Sequence, residues 1–318
     1  MSLQFNATNA SVTTDYDGQW LTPTVSVLAT ITVLSNILVC AVVLSQRRMR
    51  TPMNCLLVNL AISDIIVALF AVFQIVLRDE LRYSKGLRAD LLCKLITGGN
   101  FTWMGSAAST FTLTVIAIER FRVVSQASNA LLTSLCLKII LVSCWVYAIT
   151  VNLPLFLVVR YKELTRSIHC AEIWSHKSYG QIYTIFCFCI FGVIPLAAMG
   201  VFYTLTIRML WKNRVRATAA SDLRIIDQRK KVTRMMIIVS IIYASCRLPN
   251  LFMYMLIGYK DRDMYSSLPY LITVLLVCIN STVNPFVYSL HSSRFREGVN
   301  RLLFCRRLQG SYGVQQQT

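Results

Sequence analysis

Two ionisable side chains lie inside long apolar stretches of this chain of 318 residues, and they are the first candidates for chemistry. Asp64 is the only charged residue between positions 52 and 77, and Arg247 is the only one between 235 and 259. An ionised group in apolar surroundings is costly unless it is paired. The expected chemistry is therefore ion pairing, ion binding or recognition of a charged ligand.

The remaining residues do not indicate catalysis. The motifs HExxH and GxSxG, which supply metal ligands or a nucleophile to many hydrolases, do not occur in the sequence. Of the three histidines, His169 and His176 lie outside the apolar stretches, and His291 lies at the end of the last one. We therefore predict that the protein is not an enzyme, and we assign no catalytic residue.

The composition points to lipid as the main solvent of the chain. Hydrophobic residues make up 55% and charged residues 14%, whereas soluble proteins carry about 25% charged residues. The mean hydropathy is +0.56. A net charge of +18 would suggest a nucleic-acid partner in a soluble protein. In a chain of this hydropathy it suggests a charge difference between the two sides of a membrane, and no nucleic-acid partner is expected.

Seven stretches are each long enough to cross a bilayer core, which needs about 20 apolar residues. They are continuously apolar rather than alternating, so they predict helices and not the strands of a barrel. The stretches comprise residues 21–45, 52–77, 95–118, 139–159, 178–207, 235–259 and 264–293. The predicted fold is an all-α membrane protein, built as a seven-transmembrane helix bundle with a short amphipathic membrane-surface helix after helix seven.

The distribution of basic residues predicts the orientation. With the N-terminus outside, the inner segments contain 20 of the 32 Lys and Arg residues, and the outer segments contain 11 together with nine acids. Since the positive excess faces the cytoplasm, we expect an extracellular N-terminus and a cytoplasmic C-terminus. Residues 1–20 lack a basic start followed by an apolar core, so we expect no cleavable signal peptide.

The chain divides into four predicted parts. Residues 1–20 form the extracellular N-terminus, with glycosylation candidates at Asn6 and Asn9. Residues 21–290 form the transmembrane domain, and residues 306–318 form the cytoplasmic tail. Residues 291–305 have the apolar spacing of an amphipathic helix on the membrane surface, with Cys305 as a palmitoylation candidate.

Short motifs follow one another along the seven stretches, one for each element. They are Ser35-Asn36, Leu60-Ala61-Ile62-Ser63-Asp64, Glu119-Arg120-Phe121, Trp145, Pro195, Cys246-Arg247-Leu248-Pro249 and Asn284-Pro285-Phe286-Val287-Tyr288. Over residues 21–305 this order resembles the rhodopsin-like (class A) G-protein-coupled receptors. The resemblance implies a plasma-membrane receptor that passes a signal from an extracellular ligand to heterotrimeric G proteins. It also implies arrestin and membrane lipid as further partners.

The resemblance also implies roles for particular residues. Cys93 and Cys170 correspond to the family's disulfide. Asp64 corresponds to the centre of a polar cluster that holds either a sodium ion or a water-filled network, and no other cofactor is expected. The other members of this cluster are Ser109, Asn280, Ser281 and Asn284.

Activation is implied at two levels of the bundle. Glu119 restrains Arg120 in the resting state, and on activation Arg120 turns toward Tyr203 and Tyr288 to open a pocket for the G protein. The movement is expected to involve a switch region made of Pro195, Tyr243, Arg247 and Pro249. Prolines interrupt the helical hydrogen bonds at these kinks.

The sequence departs from the family pattern at Arg247, where the family usually has Trp. Two roles remain open for this guanidinium: it pairs with Asp64 and partly replaces sodium, or it binds a carboxylate of the ligand. A second departure is that Cys93 and Arg120 are two residues farther apart than usual. Either Gly98-Gly99 or the small residues 105–108 could absorb the difference.

The ligand is predicted from the second outer loop and the cavity. Thr102 and Trp103 replace the Asp of amine receptors, and Cys278 replaces the Lys that binds retinal. Residues 170–174, Cys-Ala-Glu-Ile-Trp, resemble the loop of neuropeptide receptors. The candidate ligand residues are Trp103, Ser106, Glu172, Cys187, Asn250, Tyr254, Tyr270 and Val274. We predict a neuropeptide ligand; the alternatives are a lipid or small carboxylate ligand, or a seven-helix transporter.

Overall fold

A computed structural model describes residues 20–77, 86–125, 132–164, 167–260 and 268–304. In this part of the chain, seven helices are long and apolar enough to cross a membrane. They are α1 (Leu21–Ser45), α2 (Pro52–Val76), α3 (Gly86–Ser125), α4 (Ser134–Val158), α5 (Lys177–Arg216), α6 (Ala220–Tyr259) and α7 (Leu268–His291). A short helix α8 (Ser293–Phe304) follows. The predicted seven-helix bundle is confirmed.

The outer surface of α4 shows why the bundle needs lipid around it. Large apolar side chains three or four residues apart are half or more exposed along one face of this helix, at Ile139, Val142, Val146, Ile149, Leu153 and Leu157. This spacing places them in one stripe along the helix. A continuous apolar surface of this kind is stable against hydrocarbon and not against water.

The α3 helix contains the irregularity that its length requires. Cys93–Thr97 forms a widened π-type turn, followed by Gly98 and by Gly99 at φ +77°. A β-carbon on Gly98 would overlap the carbonyl oxygen of Cys93. The irregularity therefore lies at residues 93–99, whereas residues 105–108 belong to a continuous α-helix, Asn100–Ser125.

Two carbonyl groups left free by prolines are taken up by side chains from neighbouring helices. Pro195 has no N–H for the carbonyl of Phe191, which instead accepts a hydrogen bond from the Tyr243 hydroxyl at 2.6 Å. Pro285 likewise frees the carbonyl of Ser281, which accepts from Asn36 Nδ2 at 3.2 Å. Both kinks are thereby attached to a second helix.

A hairpin covers one end of the bundle and adds two strands to the predicted all-α fold. β1 (Val159–Leu164) pairs antiparallel with β2 (Ser167–Glu172). The predicted disulfide joins Cys93 of α3 to Cys170 of β2. Asp90 also accepts a hydrogen bond from the Tyr161 backbone N–H at 2.8 Å, so α3 fixes both strands. We call this the disulfide end of the bundle.

At the other end, the Arg120 end, helices α5 and α6 extend well beyond their apolar stretches. Only residues 217–219 separate them, where the sequence suggested a longer connection. An exposed ion pair of 3.7 Å between Arg214 and Asp227 joins the two extensions. Such exposed pairs contribute little to stability. Helix α8 packs beside α1, where Gln46 Nε2 donates to the carbonyl of Gly298 at 3.1 Å.

The close approach of α2 and α3 generates a prediction. A β-carbon on Gly105 would lie 2.9 Å from the Ser63 carbonyl oxygen and 3.0 Å from Val67 Cγ2, so Gly105→Ala should force the helices apart. We expect a loss of about 1–3 kcal/mol, measured as a lower Tm of the detergent-purified protein.

Gly200→Ala is the matched control, since a β-carbon there meets no atom within 4 Å. Alanine also favours a helix over glycine, so the Tm of this variant should stay unchanged or rise. An equal decrease in Tm for both variants would contradict the proposed close packing at Gly105.

Candidate functional site

Glu172, the last residue of β2, points into the disulfide end of the bundle. Its Oε1 accepts a hydrogen bond from the Tyr254 hydroxyl at 2.8 Å, and its Oε2 accepts from Trp174 Nε1 at 2.9 Å. Trp174 is itself positioned by Tyr183, whose ring centroid is 5.2 Å away, and by the missing side chain of Gly180. A carboxylate is thus fixed between the hairpin and α6.

An aromatic layer lies beneath Glu172. The ring centroids of Trp103 and Tyr254 are 4.7 Å apart, and the Arg247 guanidinium lies 4.9 Å from the centroid of Trp103. A cation over an aromatic face at this distance is an attractive interaction. Phe191, which the sequence did not single out, lies 6.3 Å from Trp103 and completes the layer.

Arg247 is 4% exposed and makes one weak hydrogen bond, from Nη1 to Asn250 Oδ1 at 3.5 Å. Within the described residues its Nε and Nη2 have no hydrogen-bond partner, and no ion pair connects it to Asp64. The guanidinium turns toward Trp103 instead. The structure therefore does not bring Arg247 and Asp64 into direct contact, which was one of the two roles considered.

The other predicted ligand residues lie near this layer with different degrees of contact. Asn250 Nδ2 donates to Thr273 Oγ1 on α7 at 3.2 Å, and Thr273 is a residue that the sequence did not suggest. Cys187 is fully buried in the same apolar cluster as Tyr254. Tyr270 and Val274 are half-buried on α7. Thr273 has no distinguishing signal in the sequence beyond its place one turn from Tyr270.

The predicted switch residue Tyr243 joins three helices. Its hydroxyl donates to the Phe191 carbonyl on α5 and lies 2.6 Å from Thr110 Oγ1 on α3. The side chain is 2% exposed. Pro195 and Pro249 lie in the two helices that this contact connects, α5 and α6. Movement of α6 must therefore stretch or break a hydrogen bond at the kink of α5.

Asp64 is completely buried in the middle of the bundle. Ser109 Oγ donates to its Oδ1 at 3.3 Å, and Asn284 Nδ2 donates to its Oδ2 at 2.7 Å. Asn280 and Ser281 line a small cavity beside this cluster, of about 10 Å³. The predicted members of the polar network are thus brought together.

The oxygen atoms of this cluster are of the type that hard cations bind. The same cavity wall, however, includes Arg247 together with Ser106 and Ser109. Its volume is about that of one water molecule. A sodium ion would therefore lie beside a basic residue, and this lining does not suit a cation.

At the Arg120 end, Glu119 and Arg120 interact electrostatically without forming a salt bridge. Among the described residues no ion pair joins them, and Glu119 Oε2 and Arg120 Nε have no hydrogen-bond partner. The predicted restraint of Arg120 by Glu119 therefore stays a prediction.

Tyr203 and Tyr288 belong to one buried cluster at this end. Ser240 Oγ donates to the Tyr203 hydroxyl at 3.2 Å, and Arg120 interacts electrostatically with Tyr203. The Tyr288 hydroxyl has no hydrogen-bond partner in the described part of the chain. The structure thus groups these tyrosines as predicted. Asn6, Asn9 and Cys305 lie outside the described residues, so their predicted modifications stay predictions.

Comparison with known proteins agrees with this geometry. The family model described as 7 transmembrane receptor (rhodopsin family) matches residues 35–288. Among the relatives, neuropeptide FF receptor 2 of Rattus norvegicus is 28% identical, over 89% of this chain and 73% of its own length. Neuropeptide receptor 22 of Caenorhabditis elegans is 27% identical, over 86% and 67%.

A third relative, the QRFP-like peptide receptor of Branchiostoma floridae, is 27% identical over 86% of this chain and 74% of its own length. The family is one of receptors and not of enzymes. The match covers most of the chain, including every transmembrane motif from Asn36 to Tyr288. The chain therefore belongs to the rhodopsin family of seven-transmembrane receptors, the class A G-protein-coupled receptors, as a multi-pass protein of the plasma membrane.

Proposed function

We propose that this receptor binds a neuropeptide at its disulfide end, outside the cell, and activates heterotrimeric G proteins at its Arg120 end. The observation that carries the proposal is the carboxylate of Glu172, held in a fixed position above an aromatic layer. A basic peptide side chain is the natural partner of such a group, since charge-assisted hydrogen bonds are the strong ones. The relatives, which are named as peptide receptors, support this ligand class.

The layer below Glu172 suits an amidated peptide terminus. Trp103 and Tyr254 offer aromatic faces, and Asn250 offers an amide. The Nε and Nη2 groups of Arg247 can donate to a peptide carbonyl. A lipid or small carboxylate would use Arg247 but would leave the role of Glu172 unexplained. The peptide is therefore the better supported ligand.

Signal transmission follows from the contacts of α6. A ligand that moves Arg247 acts one helical turn from Tyr243, whose hydroxyl joins α6 to the kink of α5. Displacement of α6 would then open the Arg120 end for a G protein or for arrestin. We also propose that the basic residues of α8, with a palmitoylated Cys305, contact anionic lipid of the inner leaflet.

The peptide proposal predicts a specific coupling between Glu172 and a peptide arginine. Amidated peptides are screened for G-protein dissociation, and in an active peptide the arginine is replaced by citrulline, which is neutral and of the same shape. Loss of one charge-assisted pair should raise the peptide concentration required for half-maximal G-protein dissociation by about 10- to 100-fold. Glu172→Gln should weaken the response to the arginine-containing peptide to a similar extent.

Citrulline and Glu172→Gln together should reduce the potency of the peptide little more than either change alone, because both remove the same interaction. Asp222→Asn, which neutralises an exposed acid near the Arg120 end, is the control and should leave both peptides unaffected. Fully additive losses from citrulline and from Glu172→Gln would show that the two groups do not meet.

Coupling to the G protein is tested at Arg120. Arg120→Ala should abolish agonist-stimulated G-protein dissociation, because the half-buried guanidinium is central to the Arg120 end. Arg122→Ala removes the same charge from an exposed position two residues away and should retain the response. Equal loss in both variants at equal surface expression would indicate a general need for positive charge and not a role of Arg120.

The proposed orientation predicts glycosylation at Asn6 and Asn9. Glycosidase treatment of the expressed receptor should increase its electrophoretic mobility, and Asn6→Gln with Asn9→Gln should remove this change. An epitope tag at the N-terminus should bind antibody on intact cells. If the antibody bound only after permeabilisation, the N-terminus would lie inside the cell, and the proposed orientation would be wrong.

A further inference from the structure

The floor of the proposed ligand pocket is also the roof of the cavity beside Asp64, and Arg247 forms both. Its guanidinium lies 4.9 Å from the ring centroid of Trp103, and Arg247 is also one of the residues that line the cavity. The side chain is 4% exposed. A permanent positive charge is therefore placed at the boundary between the two compartments.

The cavity below Arg247 is lined by a basic residue together with neutral polar side chains, whereas a cation site is lined by oxygen ligands. Its wall includes Ser106, Ser109 and Asn280, and the Oδ1 atom of Asn280 has no hydrogen-bond partner among the described residues. Two N–H groups of Arg247 likewise have none. A cavity of about 10 Å³ has room for about one water molecule, which could join this donor to this acceptor.

Ser109 connects the cavity with the acid. It lines the cavity and donates to Asp64 Oδ1 at 3.3 Å, while Asn284 donates to Oδ2 at 2.7 Å. Both carboxylate oxygens of Asp64 are thus engaged by neutral donors, and the positive charge on the cavity side comes from Arg247. A sodium ion in the same space would be repelled by the guanidinium, because like charges interact strongly where water is excluded.

We infer that Arg247 is the built-in cation of this cavity and that it excludes sodium, so that the stability of this receptor does not respond to Na⁺. The guanidinium acts across Ser109 and a bridging water, without direct contact with Asp64. The inference concerns the cavity alone and does not depend on the identity of the ligand.

The experiment measures thermal unfolding of the full-length, detergent-purified receptor without ligand. A thiol-reactive fluorescent dye reports unfolding, since buried free cysteines such as Cys144, Cys187 and Cys278 become accessible only then. Each variant is compared in sodium chloride and in choline chloride of equal concentration. The wild-type Tm should be the same in both salts.

Arg247→Met removes the charge at similar volume and should create a response to sodium. At a concentration ten times the dissociation constant, the Tm should rise by about 3 °C or more. Arg247→Lys retains the charge and should stay insensitive. Adding Asp64→Asn to Arg247→Met should abolish the new response, which identifies the cavity as its source.

Three outcomes would overturn the inference: a sodium-dependent rise in the wild-type Tm as large as that of Arg247→Met, no response in either protein, or a response in Arg247→Lys equal to that of Arg247→Met. Arg247→Gln serves as the neutral variant if Arg247→Met does not fold. The wild-type comparison alone already tests whether sodium binds.

Discussion

The interior of this bundle depends on one constraint: lipid supplies no hydrogen-bond partner, so a polar group within the membrane must find one inside the protein. The prolines show the consequence most clearly. Pro195 and Pro285 each free a backbone carbonyl, and each carbonyl is taken up by a side chain of another helix, Tyr243 and Asn36 respectively. The kinks are therefore not independent hinges. Each is coupled to a second helix, so that helix and kink must move together.

The same constraint draws attention to the buried polar groups that have no hydrogen-bond partner among the described residues. Of the eleven buried side-chain atoms in the described residues that make no hydrogen bond, six lie at two places. Three are at the Arg120 end, on Glu119, Arg120 and Tyr288, and three border the cavity, on Arg247 and Asn280. Burial of such groups costs free energy that a partner can recover. These are the two places where the proposed ligand and G protein would act.

Much of the architecture could be predicted from the sequence, because each membrane-spanning helix needs a long apolar stretch, and such stretches are visible in the hydropathy of the chain. The first transmembrane helix begins and ends where its apolar stretch does, but α5 and α6 do not, since a helix continues into water when its exposed residues are charged. The hairpin was missed because its strands are short and polar, and the disulfide and Asp90 hold it in place. The contacts of Arg247 and Glu119 depend on side-chain direction, which motif spacing does not specify.

Arg247 connects the two halves of the mechanism. A ligand can shift a conformational equilibrium only through contacts that differ between the two states. On the proposed binding mode, a peptide carbonyl would accept hydrogen bonds from the Nε and Nη2 groups and draw the guanidinium away from Asn280 and the cavity. On the inference above, the positive charge beside the cavity would then move with the ligand. Because Tyr243 lies one turn from Arg247 on the same helix and is bonded to the α5 kink, this charge movement and the displacement of α6 would be one event. In a receptor whose cavity contained a diffusible ion, the two would be separate steps.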